Sequence, residues 1–213
     1  MEELDLLKKD WNKDGGRFPK VSEKEIYAML HKKSSSIIKW ILLISILEFS
    51  FFLLLTLLLS DHPNAKKMEL SMPGYLNIAM YVIDMGINLF FLYLFYVNYR
   101  KIRNTDNIKN LMANILKTRK TVSTYIYVKI SYLVVFSIIS LIILFNNDPE
   151  WLMLLHNAEE KGNGVMAYAA YIVFGLLLIA LFALAFWLFY KLIYGVLLKR
   201  LYRNYEELKK IDL

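Results

Sequence analysis

Residues 37–60 read IIKWILLISILEFSFFLLLTLLLS. Only Lys39 at the start and Glu48 in the middle carry charge. A helix needs about 20 apolar residues to cross the hydrocarbon core of a bilayer, and this stretch supplies them. In lipid the backbone must satisfy its own polar groups, so a single apolar run reads as a helix. Lys39 and Trp40 sit at one edge, where a lysine stem snorkels and an indole prefers the interface.

Three more runs of this kind follow at 75–98, 125–145 and 166–190. The loops between them alternate in Lys and Arg content. Of the 26 basic residues, 21 fall within 1–36, 99–123 and 191–213. Lys66, Lys67 and Lys161 are the basic residues of the other two loops. Positive charge marks the cytoplasmic side of membrane proteins. The expectation is therefore an all-α membrane protein, a four-transmembrane-helix bundle of a bacterial inner membrane with N-terminus and C-terminus cytoplasmic. The first run starts too late for a cleaved signal peptide and is expected to act as an uncleaved anchor.

Composition bounds the rest. At 213 residues, 57% hydrophobic, the chain has room for one membrane domain and no separate soluble domain. It has no cysteine, which excludes disulfides, thiolate catalysis and Fe–S clusters. The net charge of +7 follows the topology and matches anionic lipid. No further basic surface stands out, so no direct nucleic acid partner is expected.

The segments outside the runs have periodicity of their own. Residues 1–36 read as a cytoplasmic amphipathic segment. Leu4, Leu7 and Trp11 recur at helical spacing over 2–13. A second helix is expected over 22–33, because Ser22 and Glu25 form a capping box. Ile26, Met29 and Leu30 are its apolar face. Over 105–120, Ile108, Leu111, Met112 and Ile115 follow the amphipathic helical template. Residues 37–213 form the membrane domain, with the fourth run extended as a cytoplasmic helix over 191–207. Asp148-Pro149-Glu150 is an N-cap with Pro in the first helical position, opening a short helix on the other side.

Three residues within the runs are ionisable candidates for function: Glu48, Asp84 and Lys129. An unpaired charge at mid-bilayer costs at least about 2.5 kcal/mol on insertion scales. One reading is a proton or cation relay. The other is an acid paired with Lys129, or hydrogen-bonded, to fix helix register. Asn77, Asn88, Ser45, Ser131, Ser137 and Ser140 can supply partners across helices. The stripe Phe182, Phe186, Trp187, Phe189, Tyr190 and Tyr194 reads as an interfacial aromatic belt. His31, His62 and His156 lie outside the runs, and His62 and His156 read as solvated loop histidines. No nucleophile–base spacing, phosphate loop or metal-ligand spacing is present. The expectation is a non-enzymatic protein with no catalytic residue, no metal and no cofactor.

Four stretches carry a family resemblance: Leu4-Asp5-Leu6-Leu7-Lys8-Lys9-Asp10-Trp11, Val21-Ser22-Glu23-Lys24-Glu25-Ile26-Tyr27, Lys33-Ser34-Ser35-Ser36-Ile37-Ile38-Lys39-Trp40 and Ile115-Leu116-Lys117-Thr118-Arg119-Lys120-Thr121-Val122. Together they resemble an uncharacterised family of four-helix inner-membrane proteins of Bacteroidota, often encoded beside an extracytoplasmic-function sigma factor. The resemblance implies a membrane anti-sigma factor and assigns no site residue.

The leading expectation is a regulator that holds a cytoplasmic protein at the membrane. Leu4, Leu7, Trp11, Ile26, Met29, Leu30, Ile108, Leu111, Met112 and Ile115 are its candidate partner-binding residues. The alternatives are an accessory subunit of a larger inner-membrane export or transport complex, and a small proton or cation transporter using Glu48 and Asp84. Membrane lipid is a partner in every case, a cytoplasmic or membrane protein partner is expected, and oligomeric state stays open.

Overall fold

The computed structural model describes residues 22–63, 65–66 and 71–210. Leu4, Leu7, Trp11 and the helix expected over 2–13 lie outside the described residues. Among those described, five helices follow in order: α1 (Glu23–Leu59), α2 (Gly74–Arg103), α3 (Ile108–Asn147), α4 (Pro149–Glu160) and α5 (Gly164–Lys209). There α1, α2, α3 and α5 are long and apolar enough to cross a membrane. They form a ring in which α1 neighbours α2, α2 neighbours α3, α3 neighbours α5, and α5 closes on α1. α4 packs against α5 and α3.

Two boundaries differ from the expectation. The helix over 22–33 and the run over 37–60 are one helix, α1. The helix over 105–120 and the run over 125–145 are one helix, α3. No Gly or Pro lies within either. Ser34, read as part of a polar lead-in, is buried against α5 and accepts a hydrogen bond from Asn204 Nδ2 at 3.1 Å. In α3, the Thr118 and Thr121 hydroxyls donate to Asn114 O and Lys117 O, at 2.8 and 3.0 Å. Hydroxyls satisfied on the preceding turn need no break in the helix.

The caps at Ser22 and Asp148 were legible, whereas Asn107 caps α3 where Thr105 or Asp106 was expected. Ser22 and Glu25 form both arms of a capping box, with Glu25 N to Ser22 Oγ at 3.3 Å and Ser22 N to Glu25 Oε2 at 2.9 Å. Those bonds hold the Glu25 carboxyl below its ordinary pKa. Asp148 caps α4, with Pro149 in the first turn. Gly162, at φ 76°, takes the left-handed conformation that ends α4. α5 continues far beyond the apolar run: its 46 residues span about 69 Å, roughly twice the hydrocarbon core.

The packed core is not spread along the bundle. Leu30, Ile38, Ile41, Phe91, Phe95, Ile102, Leu111, Ile115, Val122, Tyr125, Tyr190, Tyr194, Leu201 and Leu208 form one cluster. All of it lies from the level of Glu48 towards the end that carries residues 22 and 210. This end is also the basic one. In the opposite half, Leu54, Leu57 and Leu58 of α1 and Leu177 and Leu181 of α5 are more than half exposed. In a bilayer those surfaces meet acyl chains, which are as apolar as leucine, so burying them adds little drive to association. The part of the cluster beyond the apolar runs, Leu30, Ile102, Leu111, Ile115, Leu201 and Leu208, works as a soluble bundle does, by removing apolar surface from water.

Candidate functional site

Glu48 of α1 sits at the boundary between the two halves, 9% exposed. Three phenols converge on it. Tyr125 of α3 donates to Oε1 at 2.8 Å, Tyr190 of α5 to the same oxygen at 2.5 Å, and Tyr194 to Oε2 at 3.1 Å. Tyr190 and Tyr194 are four residues apart, so one face of α5 presents both. A carboxylate is an acceptor with room for several donors, and donors that meet a charged oxygen bind more strongly than neutral pairs.

α2 closes the layer with rings. Phe91 and Phe95 lie 5.2 and 5.4 Å from Tyr125, centroid to centroid. Tyr125 is 6.0 Å from both Tyr190 and Tyr194. The spacings are those of favourable edge and tilted aromatic pairs. All four long helices therefore meet at one level, with the acid at its centre.

One helical turn along α3, Lys129 Nζ pairs with Asp84 Oδ1 of α2 at 2.8 Å. Asn88 Nδ2 donates to Asp84 Oδ2 at 2.9 Å. The Lys129 side chain is 14% exposed and that of Asp84 38%. Of the two acids within its reach in sequence, Lys129 takes Asp84 and leaves Glu48 to the tyrosines. Tyr132 of α3 donates to Met80 O of α2 at 2.9 Å, a further tie between the same helices.

The aromatic belt reading is corrected at two positions. Tyr190 and Tyr194 are 2% and 0% exposed and point into the bundle, because Glu48 needs donors there. Phe182 and Trp187 stay outside, with Lys191 Nζ 4.5 Å from the Trp187 ring. Sequence reasoning missed the tyrosine trio. The available signal was an acid without a second intramembrane lysine, facing a chain with 15 tyrosines.

The candidate partner-binding stripes are covered by the chain itself. Leu30 is 2% exposed, and Leu111 and Ile115 are 0%. Ile26, Ile108 and Met112 pack against the same cluster. Both amphipathic faces, offered as partner-binding, pack into the common cluster of the bundle. Met29, 48% exposed, remains on the surface. Polar ties reinforce this end. Tyr27 donates to Thr105 O at 3.0 Å, and His31 Nε2 meets Ile102 O at 2.7 Å. His31 thus ties α1 to α2. Burial and the nearby Asp106 carboxylate push the Tyr27 phenol above its ordinary pKa.

Among the described residues no three His, Asp or Glu side chains gather as metal ligands. Comparison with curated proteins and with solved structures gives no match. Comparison with protein families gives a match over residues 24–213, from the first turn of α1 to the end of the chain. The chain belongs to that family, described as a domain of unknown function, DUF8845.

Proposed function

We propose that this chain is a non-enzymatic membrane platform that holds a cytoplasmic protein at a bacterial inner membrane. In this reading it is multi-pass, with both termini cytoplasmic, which the distribution of Lys and Arg supports. The carrying observation is the placement of the core. The best-packed part of the bundle lies from Glu48 to the basic end, including turns at Leu30, Ile115 and Leu208 that an anchor alone does not need.

A rigid stub standing off the bilayer is a base on which a segment or partner can be held. Covering the stripes at Ile26, Leu30, Leu111 and Ile115 changes which surface does the holding. It leaves residues 1–21, with Leu4, Leu7 and Trp11, as the partner-binding element. A sigma factor is one partner of the right kind. Glu48 and Asp84 serve register in this reading: each is held by defined neighbours on other helices, the arrangement of a lock between helices.

The test is gentle solubilisation of tagged full-length protein and of a form lacking residues 1–21, followed by mass spectrometry of what co-purifies. A stoichiometric soluble protein that is retained by the full chain and lost with the deletion is the expected result. Retention of that protein by the deleted form refutes the role of residues 1–21. Integral membrane subunits in its place would make the chain an accessory subunit of a larger complex. Proton or cation flux in vesicles that Asp84→Asn abolishes would make it a transporter.

A further inference from the structure

At the basic end the last three turns of α2 and the first turns of α3 diverge around the Asn104–Asn107 link. Between them lies an open groove of about 810 Å³. Its composition is graded along its length. Tyr93 and Val97 line the part that borders the second apolar run, and Tyr93 is 63% exposed. Arg100 and Lys101 follow on the same wall. Facing them on α3 are Asn107, Asn110 and Asn114. From Tyr93 to Arg100 is seven residues, about 10 Å along the helix.

The two cations stand without an ion-pair partner among the described residues. Elsewhere in the described basic end, Arg119 lies over the Tyr202 ring, 4.6 Å from its centroid, and Arg203 pairs with Glu207 at 3.8 Å. Among the described residues Asp106 is the one carboxylate lining the groove. The carboxamides add neutral donors beside the cations.

We propose that this groove binds an anionic phospholipid from the leaflet at the basic end. The phosphate headgroup lies against Arg100 and Lys101 with the Asn110 amide, and an acyl chain runs along Tyr93 and Val97. The gradient selects the occupant. A free phosphate uses only the polar half, and an acidic peptide in water leaves the tyrosine end unfilled. A lipid already lies at this depth with its charge and its chain in that order. Basic pockets between membrane helices at the interface are sites of this type. This inference does not depend on the protein-holding role.

The test uses full-length protein in detergent, with phosphatidylglycerol and phosphatidylcholine as probes and native mass spectrometry as readout. Wild type should retain phosphatidylglycerol in preference to phosphatidylcholine. Arg100→Gln with Lys101→Gln should weaken that retention on the order of thirtyfold, from two surface cations at about tenfold or less each. Lys32→Gln with Lys33→Gln, the same charge change on α1, should leave it intact. Asp106→Asn should strengthen it. Unchanged melting of each variant without lipid checks the fold, and the Asp106 variant tests the site independently of any loss.

Equal weakening by both double variants overturns the proposal in favour of a diffuse field. Full displacement by millimolar glycerol phosphate makes the ligand a free phosphate and overturns the lipid. Binding of an acidic peptide that needs Arg100 and Lys101, with no preference between the two lipids, makes the groove a protein contact and also overturns it.

Discussion

At Glu48 the chemistry is set by what an acid in a membrane bundle demands. Removing the acceptor by Glu48→Ala leaves three buried hydroxyls without it, so this change should destabilise more than any single Tyr→Phe at 125, 190 or 194. Each of those should cost about 0.5–2 kcal/mol, the usual range for polar contacts between membrane helices. Because the phenols share two oxygens, the paired changes should be non-additive, which a double-mutant cycle on unfolding in detergent will measure. At the second pair, Asp84→Asn alone should destabilise by stranding the Lys129 charge, and adding Lys129→Met should recover much of the loss. Recovery absent in the double variant would remove the pairing from the account. The acids themselves were legible in the sequence, whereas Asn88, expected to bond across helices, bonds Asp84 on its own helix. The tyrosines were not, because Tyr190 and Tyr194 sit at the end of an apolar run where phenols also favour the lipid interface. Only the register between α1 and α5 turns them inward.

At the scale of the element, α1 and α3 are where sequence periodicity and structure part. Each apolar run and the amphipathic faces over 22–33 and 105–120 were legible, and so were the caps at Ser22 and Asp148, because they are local patterns. Continuity was not, since Ser34-Ser35-Ser36 reads as a polar lead-in until Asn204 is known to meet Ser34. Fourteen residues separate Ser34 from Glu48 and also Tyr190 from Asn204, so α1 and α5 run in step over two polar contacts. A continuous α1 predicts that Ser36→Pro costs about 3 kcal/mol or more in unfolding experiments, the loss for proline inside a helix. Two helices joined by a serine link would tolerate it. The capping box gives a pH dependence. The Glu25 carboxyl is held below its ordinary pKa by the Ser22 backbone and hydroxyl. Its contribution to the start of α1 is therefore complete above the ordinary glutamate range and is lost as pH falls through the lowered value. Amide protection factors over residues 23–27, taken relative to the intrinsic exchange rate at each pH, should fall on acidification, and Ser22→Ala with Glu25→Gln should remove that fall.

At the scale of the molecule, the basic-end turns beyond the apolar runs and the opposite half of the bundle obey different solvents. The basic half buries a continuous core and is tied by Tyr27–Thr105, His31–Ile102 and Ser34–Asn204. The opposite half leaves leucine surface to lipid, and its closest approach is at Gly175, where an added Cβ would lie 2.6 Å from a Leu141 methyl. The fold class followed from four apolar runs and their charged loops. The position of the core did not, because apolar content is highest in the half that is packed least. The central claim is that the segments around Ser34 and Asn204 continue the bundle as one packed stub. The chain has no cysteine, so a single engineered pair reports without background. The measurement is oxidative disulfide crosslinking of Ser34→Cys with Asn204→Cys in intact membranes. The control is Ser34→Cys with Lys161→Cys, whose partners lie at opposite ends. Rapid, near-complete crosslinking of the 34–204 pair and none of the control is the predicted result. Crosslinking of 34–204 no faster than the control would mean that the basic-end segments lie apart on the membrane surface, and the account of the packed stub would be wrong.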